Sequence, residues 1–119
     1  MNRALRDAYR AELALAHGAA EAENFDAAFR YLERAHILGQ RDTWAHVRTH
    51  WEMLRLGASI GDWCEVAGQG VRIVGSALLT PFWVPIGNTG RANVSSIQPM
   101  EIPEDLRRLI DGEAPGSGP

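Results

Sequence analysis

All four histidines of this 119-residue chain lie between residues 17 and 50. His46 and His50 are four apart, so on a helix they stand on one face, about 6 Å apart along the axis. That spacing suits two ligands of one metal ion. His36 comes level with His46 if the chain folds back about the Gly39–Asp42 turn, and His17 with His50 if it folds about Glu23-Asn24. With the first and third helices as neighbours, all four imidazoles would converge between them. Met53 would add a thioether on a nearby face. Neutral imidazole suits zinc, copper and nickel, whereas a thioether leans towards Cu(I). The expected ligand set for zinc or copper is therefore His36, His46 and His50, with His17 as a fourth. Asp42, Glu33 and Glu52 are the nearby acceptors that would fix the ring tautomers. The competing reading is structural, since a buried histidine often does no more than bond a carbonyl or carboxylate.

Other reactive residue types are sparse. Cys64 is the single cysteine, so no disulfide can form within the chain, and a small core residue near a helix start is expected there. Gly87, Asn88, Gly90 and Arg91 could offer backbone donors and a guanidinium to an anion. The alternative is a pair of tight turns in which Asn88 and the glycines take positive φ. The loop lacks the Gly-Lys-Ser/Thr ending of a phosphate-binding P-loop. Trp44, Trp51 and Trp63 sit at helical spacing and read as core, while Trp83 would anchor an arm or fill a pocket on a second subunit. Arg10, His17, Arg48, Trp51 and Arg55 would line a shallow groove able to hold an acidic peptide end.

The elements that must position these groups read as helices. Leu5, Ala8, Tyr9, Leu13 and Ala16 recur at three- and four-residue steps across 3–22. Asn24 caps a helix over about 25–38, Asp42 or Thr43 caps a third, and Gly61-Asp62 precedes a fourth running from Trp63 towards Leu79. Asn24-Phe25 recurs as Asp62-Trp63, 38 residues later, and the first copy resembles a tetratricopeptide repeat. Residues 80–102 lack helical period. Phe82, Trp83, Val84, Ile86, Val94 and Ile97 predict an arm packed over the helices. Pro103-Glu104-Asp105 opens a short closing helix, and 112–119 has the composition of a disordered tail. The expected architecture is all-α. Two antiparallel helical hairpins, tetratricopeptide-like, carry a long arm and a closing helix in a single domain over 1–111.

Four segments in this order, His36-Ile37-Leu38-Gly39-Gln40, His46-x-x-x-His50-Trp51-x-Met53-Leu54, Gly87 through Ser95, and Pro99-Met100-x-Ile102-Pro103, resemble a family of short bacterial proteins classed as a domain of unknown function. The resemblance covers roughly residues 4–110 and implies genes often placed near those for heavy-metal resistance. It supplies no catalytic residues.

Composition narrows the function further. All 12 basic residues are arginine, the net charge is −3, and no arginine cluster offers the phosphate neutralisation that nucleic-acid binding needs. The apolar run Val71–Ile86 is interrupted by Arg72, Gly75 and Pro81 and is too short to span a bilayer. No export signal precedes the first helix, so a cytoplasmic location without membrane contact is expected. The leading expectation is a small accessory protein of metal-stress response that binds a transition metal through its histidines. The rival is a helical protein-interaction module without metal, acting on a protein partner or as a homodimer. An enzyme ranks third, because no nucleophile–base pair or acid pair stands out.

Overall fold

The computed structural model describes residues 1–92 and 98–112. Its elements are α1 (Arg3–Glu21), α2 (Phe25–Gly39), α3 (Thr43–Ile60), α4 (Trp63–Leu79) and α5 (Glu104–Asp111), with no strand among the described residues. No helix is long and apolar enough to cross a membrane.

Each of the four long helices starts where a short polar side chain replaces a missing backbone partner. Asn2, Asn24, Asp42 and Asp62 accept from the amides of Leu5, Ala27, Ala45 and Glu65 respectively. Gly61 closes α3 in the left-handed conformation at φ 74°. These boundaries fall within a residue or two of those read from caps and periodicity. Pro103 stands at the cap position of α5, just outside the helix.

α2 packs along α1, α3 along α2 and α4 along α3, while α5 closes on α1 and α2. The apolar core joins Leu5, Tyr9 and Leu13 of α1 to Phe29, Leu32 and Ala35 of α2 and Met53 and Leu56 of α3, and Ile102 and Leu106 seal it. Tyr9 donates its hydroxyl to Ala45 O at 2.9 Å and lies 3.0 Å from Thr49 Oγ1, tying α1 to α3. Arg34 holds Glu12 at 2.8 Å and also grips Asp105, which fixes α5.

The tryptophans depart from expectation. Trp44, Trp51 and Trp63 are 77%, 50% and 68% exposed, so none belongs to the core. Two neighbouring stripes of α3 cannot both face inward, and the one that does carries His46, His50, Met53 and Gly57. α4 is inverted to match. Its buried residues, Glu65, Gln69 and Ser76, are all polar, while Val71, Val74 and Leu78 face outward. Cys64 is exposed and fills no core position.

The arm is packed through its middle. Gln40 donates to Pro85 O at 2.6 Å and accepts from the Gly87 amide at 3.1 Å, and Met100 N bonds to Ile86 O at 2.9 Å. Gly87 has φ 82°, and a Cβ there would lie 1.9 Å from Met100 O, so no other residue fits. Phe82 and Trp83 are 83% and 53% exposed, against the expectation that they would be covered. Val94 and Ile97, and the expected tail from residue 113 on, lie outside the described residues.

Leu106 is 1% exposed and joins the closing helix to the core. Leu106→Ala is expected to destabilise the protein by about 2–5 kcal/mol in denaturant titration, the usual loss for a buried leucine. A change below about 0.5 kcal/mol would show that α5 sits apart from the cooperative unit.

Candidate metal centre

α2 delivers His36 from its last turn, and α3 delivers His46 and His50 from successive turns of one face. All three are buried, at 2%, 6% and 3% exposure, and their nearest ring nitrogens lie within 4.8 Å of one another. His36 Nε2 is 3.0 Å from His46 Nε2 and 3.1 Å from His50 Nε2. The ring centroids are 4.7–4.9 Å apart.

The opposite ring nitrogens decide where the protons are. His36 Nδ1 lies 2.7 Å from Asn88 O, and a carbonyl can only accept, so Nδ1 carries the hydrogen. His46 Nδ1 lies 2.7 Å from Thr80 Oγ1, whose own hydrogen goes to Ser76 O at 2.6 Å. Thr80 therefore accepts from His46. His50 Nδ1 lies 2.5 Å from Gln69 Oε1. The amide of Gln69 is oriented by its nitrogen, which donates to Glu65 Oε2 at 2.6 Å and Gly90 O at 2.7 Å, and lies 3.3 Å from Met53 Sδ. All three neutral rings thus hold hydrogen on Nδ1, which leaves each Nε2 a lone pair, with His36 Nε2 close to those of both His46 and His50.

Burial keeps the rings neutral. It holds His36 well below the ordinary histidine value of 6.5, with the neighbouring His50 and His46 adding to the effect. Burial alone lowers His46 to about 4. Burial first, then the charge of His46, lowers His50 to about 3. Three close lone pairs without a proton between them repel. A metal ion bonded at about 2.0–2.1 Å to each would resolve that repulsion, and tetrahedral bonds of that length set nitrogens about 3.3 Å apart. Three close histidines that could hold a metal are therefore present.

His17 is not among them. It is half-exposed and lies 3.1 Å from Glu52 Oε2. Glu52 is two residues beyond His50, about 200° around the α3 axis, so the side of α3 that meets α1 is turned away from the histidine cluster. Met53 Sδ lies 3.3 Å from Gln69 Nε2. The expected acceptors Asp42, Glu33 and Glu52 are otherwise engaged: Asp42 caps α3, Glu33 faces Arg91, and Glu52 meets His17. Asn88, Thr80 and Gln69 take that role. A sequence signal for two of them existed. Glu65, Gln69, Arg72 and Ser76 of α4, with Thr80 at its C-cap, form a polar row at helical spacing.

The Gly87–Arg91 loop packs against the cluster, and three of its backbone donors are taken within the protein. The amide of Gly87 goes to Gln40, that of Asn88 to Pro85 O, and that of Gly90 to Asn88 Oδ1. Arg91 is held by Glu65 at 2.5 Å and stacks 3.7 Å over the Phe29 ring. Gly87 and Gly90 take positive φ as tight turns require, whereas Asn88 does not. A Cβ on Gly90 would come within 2.5 Å of the His36 ring.

A model of the family described as "Protein of unknown function (DUF3703)" matches residues 3–110, and the chain belongs to that family. No curated protein and no solved structure matches it.

The depressed histidines make a prediction about acid stability. Between pH 6.5 and about 4 the unfolded chain takes up protons that the folded metal-free protein refuses, so stability is complete above about 6.5 and falls as the pH drops through that window. The midpoint of urea unfolding is expected to decline already between pH 6.5 and 5, above the range of ordinary carboxylates. A His46→Gln/His50→Gln variant should show a flatter profile there. Equal slopes in the two proteins would contradict the assignment of three buried neutral rings.

Proposed function

We propose that this protein binds one transition-metal ion through the Nε2 atoms of His36, His46 and His50. The observation that carries this reading is the close approach of three buried imidazoles, each with a separate acceptor on Nδ1. Outer acceptors of this kind orient metal-binding imidazoles in general. The donor set is all nitrogen, which favours zinc, Cu(II), cobalt or nickel over a Cu(I) site built on sulfur. Three protein ligands leave a fourth position open, as in zinc sites that bind water or a small ligand. In the cell we infer an accessory role in transition-metal handling and stress, in the cytoplasm.

The alternative reading is a tetratricopeptide-like pair of helical hairpins that binds a protein or a second copy without metal. The outward apolar residues of α4, Val71, Val74 and Leu78, favour it. The two readings part on metal binding.

Titration of the full chain with Zn(II) or Co(II) is expected to reach one ion per chain. His46→Ala and His50→Ala should each weaken binding more than about 100-fold, and His17→Ala should leave it unchanged. Gln69→Ala should weaken it about 10–100-fold with helicity retained, the usual effect of removing an outer partner. Ordinary imidazoles would release metal as pH falls through about 6.5, but burial keeps these neutral lower, so much of the ion should be retained at pH 5.5. Equal affinity in the wild type and the histidine variants would remove the metal reading and leave the interaction module.

A further inference from the structure

The three histidines form part of the wall of a cavity of about 270 Å³ beside α4 and the start of the arm. Leu79, Trp83 and Pro85 give that wall an apolar side, with the outward-facing Val71 at its rim, and the first two remain half open to solvent. Arg72 is the one charged residue among the described residues lining it, and no acidic side chain is present there. Resting on the metal reading above, we propose that this cavity binds a small carboxylate, with one oxygen in the fourth metal position and an apolar tail against Val71, Leu79 and Trp83.

Charge requires an anion. Three neutral imidazoles leave a divalent ion with its full charge, and their outer partners, a carbonyl, a hydroxyl and an amide, are neutral as well. Arg72 adds a second positive charge close enough to act on both His36 and His50. In a partly desolvated cavity such a centre attracts negative charge far more strongly than it would in water.

The wall selects the kind of anion. Ser76 gives its hydroxyl hydrogen to Ile73 O and Thr80 gives its own to Ser76 O, so neither offers a donor to a ligand. Sulfate or phosphate would turn charged oxygens onto the apolar side formed by Leu79, Trp83 and Pro85, which costs more than leaving them in water. A carboxylate needs only the ion, with the positive charge of Arg72, whose guanidinium also donates to Gly68 O at 3.2 Å, to attract it, and each methylene of its tail gains apolar contact worth roughly fourfold in affinity.

The test uses the full chain loaded with Co(II), whose visible absorption reports its ligands. Acetate, butyrate and sulfate are added in turn. Saturable spectral change is expected with both carboxylates, about sixteenfold tighter for butyrate with its two further methylenes, and none with sulfate at equal concentration. Gly75 lines the cavity and a Cβ there meets nothing within 4 Å, so Gly75→Leu should fold, keep its Co(II) affinity and lose butyrate binding more than tenfold. Arg72→Gln should weaken both carboxylates by similar factors. A bound Co(II) whose spectrum ignores carboxylates, a preference for sulfate, or butyrate binding unaffected by Gly75→Leu would overturn the carboxylate site and leave the metal reading intact. Failure of Co(II) to bind would overturn both.

Discussion

Three imidazole N–H groups, each delivered to a fixed acceptor, organise this fold. His50 is answered from the middle of α4, His46 from its C-terminal cap and His36 from the arm. Because a buried polar group must be paired, α4 has to present Gln69, Ser76 and Thr80 inward, and its apolar residues are left outside. For the same reason the arm must run beside α2. Asn88 O has to reach His36, which brings Gly90 against the ring and Gly87 against Met100, where side chains would collide.

The layer behind the rings is itself closed. Gln69 is held by Glu65, Glu65 by Arg91 and the Ala92 amide, and Arg91 lies over Phe29 of the apolar core. The polar half of the molecule thereby meets the hydrophobic half at the Arg91 guanidinium over Phe29 and at Met53 beside Gln69. Such networks hold a geometry firmly when every member is satisfied and lose it when one is removed.

The helices were legible because their start signals are local: Asn24, Asp42 and Asp62 act on amides three residues away. His36, His46 and His50 were legible because rise per residue and two turn positions suffice to bring them level. His17 was misread because height along an axis ignores direction around it, and Glu52 shows that α1 meets the other side of α3. The tryptophan stripe was misread for a related reason. Apolar spacing identifies a face, but only the neighbouring helix decides whether that face or the histidine face is buried. The polar row of α4 hinted at Gln69 and Thr80, but Asn88 lies in the arm, 52 residues from its histidine, and a pairing so distant leaves no trace in short-range periodicity.

That separation also orders events in time. All three rings have been synthesised by residue 50, yet the last of their acceptors arrives only at residue 88. Contacts between distant segments form late in folding, since the intervening chain must first be gathered in. A growing chain therefore carries its histidines for a long interval with neither tautomer nor orientation imposed. The finished geometry is a product of completed translation, and a chain cut short before the arm would own every ligand and still lack the site.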